Sequence, residues 1–168
     1  MALVIIAAFF LMVRPVQEIR DIAHHGRYIY LALGQQGIRV LDISADPAHP
    51  REVGIYNTFG VANAIDLRAA GEKTYLYVAD GKAGVSFFEV RADGGVDYLW
   101  SDKRYSKSVD IAVAGEFLLV ARDKNGLTVL RVNPETSNSS GEHWQVNGIP
   151  TAQKVIVESN RAYVVDSS

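Results

Sequence analysis

A segment of roughly 45 residues recurs along the chain, and this recurrence limits the folds open to it more tightly than any single residue does. The stretch IRDIAHHGRYIYLALGQQGIRVLDI is echoed by NAIDLRAAGEKTYLYVADGKAGVSFFEV, then by SVDIAVAGEFLLVARDKNGLTVLRV, and last by QKVIVESNRAYVVDSS. Asp21, Asp66 and Asp110 fall 45 and 44 residues apart, and the turn positions Gly26, Gly71, Gly115 and Asn160 are spaced by 45, 44 and 45. Each unit consists of short stretches rich in β-branched and aromatic residues, cut by glycine-bearing turns, a pattern of strands rather than helices.

The first unit predicts strands over residues 19–23, 28–33, 38–43 and 53–58. Hairpin turns fall at His25-Gly26 and at residues 34–37, where glycine takes positive φ without steric cost. Residues 46–50, with Pro47 and Pro50, read as a loop, because proline cannot donate to a ladder. The second unit predicts strands 64–67, 74–79, 85–90 and 96–100, and the third 109–113, 117–122, 127–132 and 143–146; the polar stretch between Asn133 and Gly141 is the expected mobile loop. A unit of four short strands cannot cover both of its own faces, so it must stack on its neighbours, as the blades of a β-propeller do. The expected fold is all-β: a partial propeller of about three four-stranded antiparallel blades plus the start of a fourth, with units near 20–63, 64–107, 108–152 and 153–168.

With 48 % hydrophobic and 21 % charged residues, the chain has the make-up of an ordinary globular protein, which excludes global disorder. The net charge of -2 comes from 17 basic and 19 acidic side chains interspersed along the sequence, so the basic stripe of a dedicated nucleic-acid surface is missing. No cysteine is present, which excludes disulfides, thiolate catalysis and cysteine-ligated zinc and leaves the redox compartment open.

Residues 1–15 depart from the repeats. Unbroken apolar sequence runs from Ala2 through Val13, followed by Arg14 and Pro15. A helix of that length reaches roughly 18 Å, short of the roughly 30 Å hydrocarbon core of a bilayer. The length suits the apolar core of a secretory signal, but a basic segment before it and a small-residue cleavage site after it are missing. The end of a preceding blade also fits, since residues 9–13 lie about 45 residues before the strand at 53–58. Membrane anchor, signal remnant and buried strand or core helix are all open on the sequence.

The aligned residues carry a family resemblance. A glycine turn, an aromatic-rich strand and then Gly-(Ile/Val/Leu)-x-(Val/Phe)-(Leu/Phe)-x-(Ile/Val) resembles the LVIVD repeat of bacterial and archaeal β-propellers. GIRVLDISADPAHPREVGIY, from Gly37 to Tyr56, is similar to the full consensus with its Asp-Ile-Ser exit and proline-rich connection. GVSFFEV from Gly84 and GLTVLRV from Gly126 match the strand but carry Arg91 and Asn133 where that exit would be. The resemblance implies a propeller and an extracytoplasmic or cell-surface location, and brings no catalytic residue. Residues 20–168 amount to about 3.3 units, whereas propellers typically close with about 4 to 8 blades. The expectation is a fragment of a longer polypeptide, or a partner chain covering the open face.

Asp21, Asp66 and Asp110 are placed at the start of each unit's first strand, nearest a propeller's central channel. A ring of carboxylates there has the chemistry to bind a cation such as calcium, or a basic ligand. The plainer reading is that each bonds backbone amides of the neighbouring connection, and Val155 at the same place in the fourth unit favours it. Asp80, Asp123 and Asp166 recur near the end of the second strand, where turn-capping explains them. His24 and His25 are adjacent, so on a strand they point to opposite faces and cannot share one ion. His49 and His143 lie at no ligand spacing, and neither a Gly-x-Ser-x-Gly elbow nor a glycine cluster opening a helix is present. Asn138-Ser139-Ser140 matches a glycosylation sequon common by chance. Tyr98, Trp100, Arg104 and Tyr105 combine residue types enriched at binding hot spots and form the candidate partner surface, with aromatic packing between blades as the alternative.

These readings point to a non-enzymatic repeat module for protein recognition or scaffolding, part of a larger exported or membrane-tethered protein, with no cofactor required. Two alternatives stand beside it: a propeller enzyme or cation-dependent ligand-binding protein with its site at the channel mouth, and an accessory subunit of a membrane complex held by the apolar segment.

Overall fold

Alternation of buried and exposed side chains organises the chain into short antiparallel strands joined in sequence order. The computed structural model describes residues 18–133 and 139–167. The first sheet comprises β1 (Asp21–His25), β2 (Tyr28–Ala32), β3 (Ile38–Asp42) and β4 (Arg51–Tyr56). The second comprises β5 (Ala64–Ala70), β6 (Lys73–Ala79), β7 (Val85–Val90) and β8 (Val96–Asp102), and the third β9 (Asp110–Ala114), β10 (Phe117–Ala121), β11 (Leu127–Val132) and β12 (Ser139–Gln145). A two-stranded sheet of β13 (Ala152–Glu158) and β14 (Arg161–Asp166) follows. Every sheet pairs its strands in chain order, and all pairings are antiparallel. A 3-10 turn, Lys103–Tyr105, interrupts the connection from β8 to β9.

The glycine that opens the third strand of each blade is a geometric requirement. Gly37, Gly84 and Gly126 take φ of +76°, +88° and +70°. A β-carbon at these positions would run into the backbone carbonyl oxygen of Tyr56, Asp102 and Ile149 respectively, all near the end of the fourth strand or just beyond it. The carbonyl of each glycine accepts from the amide four residues earlier, Leu33, Asp80 or Arg122, at 2.8, 2.8 and 2.9 Å, closing the same tight turn three times.

Burial occurs between sheets. One core joins the first and second blades through Tyr28, Tyr30, Ile38 and Val40 on one side and Ile65, Leu76, Val78 and Phe88 on the other. A second joins Tyr77, Val85 and Phe87 to Ile111, Leu118 and Leu130, with Tyr77 edge-on to Phe87 at 5.3 Å. A third joins Ala112, Leu119 and Leu127 to Ala152 and Val155. Each fully buried aromatic or branched side chain in these seams contributes about 1.5–3 kcal/mol of transfer free energy, so a blade's stability depends on its neighbours. The first strands β1, β5, β9 and β13 touch in succession, which places them innermost. This is the radial stack of a partial β-propeller.

Boundaries shift modestly from the sequence expectation. β4 begins at Arg51 rather than residue 53, and β5 extends to Ala70 because its ladder with β6 continues to the Ala70–Lys73 pair. The expected loop between Asn133 and Gly141 lies partly outside the described residues, and its last residues, from Ser139, open β12 instead. Asn138 of the sequon and the apolar run from Ala2 through Val13 lie outside the described residues. Among the described residues no helix is long and apolar enough to cross a membrane.

Candidate functional site

The innermost strands carry the recurring aspartates, and these join one blade to the next. Asp21 Oδ2 accepts from the amide of Ile65 at 2.9 Å, Asp66 Oδ2 from Val113 at 2.7 Å, and Asp110 Oδ2 from Val155 at 2.7 Å. In each case a carboxylate on one blade's inner strand takes an amide from the next blade's inner strand. Pairing registers show that the three are not all equivalent. Asp21 faces Ala32 and Asp110 faces Ala121, but it is Ala64 that faces Ala79; Asp66 lies two residues further along, opposite Tyr77. It therefore keeps the same side of the strand and reaches an amide two residues further along the next blade. In the fourth blade the equivalent position, opposite Val165, is Lys154, which pairs back to Asp110 at 3.4 Å. The Val155 that sequence spacing places there supplies the accepted amide instead.

Burial pushes the carboxyls of Asp66 and Asp110 up, opposed by the amides of Val113 and Val155 that favour the charged form. Among the described residues no three His, Cys, Asp or Glu side chains form a group able to hold a metal ion.

The connections between blades are held from the end of each second strand. Asp80, wholly buried, accepts from the Phe59 amide at 3.1 Å and the Ser86 hydroxyl at 2.8 Å, and burial raises its carboxyl above the usual range. Asp123 is not its equivalent. Asp123 occupies the place of Gly81, with φ of +51° against +58°, and each bridges to the following blade. Its carboxylate takes Gln153 Nε2 at 2.7 Å, while Asp166 takes the Thr151 amide at 3.2 Å. His25 Nε2 lies 3.2 Å from Thr74 Oγ1 in a groove of about 510 Å³ between the first two blades, and His49 Nδ1 lies 2.7 Å from Asp46 in the proline loop.

The four residues expected at a partner surface separate. Tyr105 is 1 % exposed within the seam between the second and third blades. Trp100 is half-buried and stacks on Phe87 at 4.0 Å, and Arg104 is tied to Asp102 with contacts of 2.6 to 3.0 Å. Only Tyr98 presents much of its ring to solvent. It packs edge-to-face on the buried Phe88 at 5.6 Å and, at 4.9 Å, on Phe59, which is 69 % exposed and sits on the connection between the first two blades. Phe59 and Lys82 line two adjoining grooves. One, of about 570 Å³, also takes in Asn63, Lys107, Val109 and Asp123; the other, of about 470 Å³, takes in Ala83, Tyr98, Ser101 and Lys103. The sequence reading missed Phe59, whose available signal was an aromatic residue beside Gly60 just past a strand.

The LVIVD repeat pattern matches residues 18–58 and 106–141, the first and third blades. No curated protein sequence matches the chain. Among solved structures, the chain is similar in fold to a putative 6-phosphogluconolactonase from Bacteroides uniformis, with a TM-score of 0.68 and 17 % identity over 86 % of this chain and 45 % of that one. It is similar also to a periplasmic gluconolactonase of Pseudomonas aeruginosa, with a TM-score of 0.62 and 22 % identity over 71 % of this chain and 36 % of that one. The computationally designed Ika4 protein matches with a TM-score of 0.63 and 11 % identity, over 90 % of this chain and 87 % of its own. The chain thus spans less than half the length of the two natural proteins. The two stretches that match the LVIVD repeat lie in the first and third blades of a partial β-propeller.

Proposed function

We propose that this chain is a non-enzymatic recognition module, part of a longer exported or membrane-tethered propeller, whose exposed connections engage a protein partner. The observation that carries the reading is the use of the channel-side carboxylates. Asp21, Asp66 and Asp110 are each committed to the next blade's amide, whereas the exposed Phe59–Tyr98 pair is outside the three seams between blades. Further blades are part of the proposal. Ile22 is 59 % exposed, while Ile65 and Ile111, at the same register position of the next two blades, are 3 % and 4 % exposed against their predecessors. At the other end Ile156, Tyr163 and Val165 are exposed in the same way. Another blade, from the same polypeptide or a second molecule, gives these faces the cover that the inner blades already have. The apolar run from Ala2 through Val13 serves as export signal or tether.

A photoreactive residue placed at Tyr98 in the native host tests the reading, with the same residue at Arg161 as control. A discrete protein adduct specific to Tyr98 is expected. Hydrolysis of gluconolactone by the purified protein, abolished by Asp66→Asn, would replace this reading with that of a propeller enzyme acting at the channel mouth.

A further inference from the structure

The paired grooves about Phe59 hold a concentration of positive charge that, among the described residues, forms no salt bridge. The chain has six lysines. Lys73 pairs with Glu89 and Lys154 with Asp110. Three of the other four, Lys82, Lys103 and Lys107, line the two grooves, and among the described residues none of the three makes an ion pair. All three are exposed. The one carboxylate in the lining, Asp123, is engaged by Gln153, and that contact is the first cause holding its carboxyl below the usual range. In a protein of net charge -2, this surface is locally basic.

Phe59, Gly60, Val61, Ala83, Val109 and the ring of Tyr98 give the lining its apolar part, beside the uncharged polar side chains of Gln35, Asn63, Ser101 and Ser108. Phe59 stands at the junction of both grooves, 69 % exposed, although an aromatic side chain gains most when desolvated. An occupant that covers Phe59 must therefore be apolar at its centre and anionic at its margins. The ring planes of Phe59 and Tyr98 meet at 62°, which leaves no parallel platform for a run of stacked bases and disfavours a nucleic acid.

We infer that this surface is a docking site for a short acidic peptide segment with an apolar anchor residue: the anchor covers Phe59, and carboxylates on either side reach Lys82, Lys103 and Lys107. The inference rests on the recognition reading above and names the chemistry of its partner. Charge of this kind, exposed at a rim, governs association and its salt dependence, while the covered aromatic governs residence.

The test uses the full chain and a fluorescein-labelled peptide carrying Leu-Phe flanked by three glutamates on each side, read by fluorescence anisotropy. Binding that weakens on raising salt is expected. Phe59→Ala should weaken it roughly tenfold, as for loss of a covered aromatic anchor. Lys82→Glu with Lys103→Glu should weaken it at least about tenfold and flatten the salt dependence. Both sets of side chains are exposed, and Phe59→Ala retains the backbone amide that Asp80 accepts, so the fold is kept. A peptide with lysines in place of glutamates should not bind. No binding of the acidic peptide, or binding unmoved by these substitutions, overturns the assignment of this surface. A Tyr98-specific adduct in the host would in either case still leave the recognition reading standing. A twelve-nucleotide oligothymidylate that binds more tightly than the peptide and responds to the same substitutions would also overturn the inference, in favour of a nucleic acid.

Discussion

Asp80 and Arg122 occupy the same position in successive blades, four residues before Gly84 and Gly126, and hold the connection from the preceding blade with opposite polarity. Asp80 takes the Phe59 amide on one connection. Arg122 gives its guanidinium to the carbonyls of Ser106 and Arg104, at 3.2 and 3.0 Å, on the next. Each is supported by a hydroxyl at an equivalent place on the following strand, Ser86 donating to Asp80 at 2.8 Å and Thr128 accepting from Arg122 at 3.2 Å. Polarity of the side chain therefore follows polarity of the backbone it meets.

Arg122→Met should loosen residues 103–109 without disturbing the other connection. The loss of hydrogen bonds from a charged donor to partly buried carbonyls is worth about 1–3 kcal/mol. Hydrogen exchange should quicken at residues 103–109 and stay unchanged at 57–63. Arg122→Asp should be worse than Arg122→Met, since it faces carbonyls with another acceptor.

Much of this frame was legible in the chain. The 45-residue period gave the blades, and the glycine turns gave their hairpins, because both are local or periodic signals. For the aspartates the plainer reading named backbone amides of the neighbouring connection, whereas the amides they take, those of Ile65, Val113 and Val155, lie on the next blade's inner strand. What spacing could not reveal was register. Asp66 matches Asp21 and Asp110 by counting, yet it sits two residues further along its strand, and Asp80 matches Asp123 only until the Gly81 position is identified by its bridge. A shift of two preserves the face a side chain occupies, so alternation cannot detect it. Exposure of Phe59 against burial of Tyr105 depends on packing between blades, which no single unit encodes.

Gly84→Ala and Gly71→Ala separate two reasons for a glycine. Both residues have positive φ, +88° and +61°, but only at Gly84 would a β-carbon collide with backbone, at Asp102 O. Gly71→Ala should cost about 1 kcal/mol, the left-handed penalty alone. Gly84→Ala should exceed about 2 kcal/mol and detach the end of β8, measured by urea unfolding and by exchange of the β8 amides.

Asp42 and Asp80 should move stability in opposite directions with pH. The hydroxyl and amide of Ser44, with the Arg51 and Arg27 guanidinium groups, hold the Asp42 carboxyl down to about 2. Its stabilising contribution is present above the unfolded value of about 3.9 and is lost as pH falls through about 2. Burial raises Asp80, so its contribution is greatest below about 3.9 and declines as pH rises through the higher folded value. Between about pH 2.5 and pH 7 in urea unfolding, Asp42→Asn should lose ground against the wild type and Asp80→Asn should gain. The reverse order for Asp80 would mean that its hydrogen bonds outweigh its desolvation.

Asp110→Ala strips the acceptor from the Val155 amide and the partner from Lys154. It should cost about 1–3 kcal/mol, the penalty of a buried donor left unpaired. Asp110→Asn keeps an acceptor oxygen and should cost less than half as much, read by thermal unfolding of both variants.

The coupling of each inner strand to the next is tested most directly by following amide proton shifts of the isotope-labelled protein across the carboxylate pH range. The amides of Val113 and Val155 should each titrate with the midpoint of the carboxyl on the preceding blade, Asp66 or Asp110, and of these two amides Asp66→Asn should abolish the titration of Val113 alone and Asp110→Asn that of Val155 alone. Flat profiles for both amides, or a Val113 or Val155 profile that responds to an aspartate within its own blade, would contradict a radial stack joined carboxylate to amide.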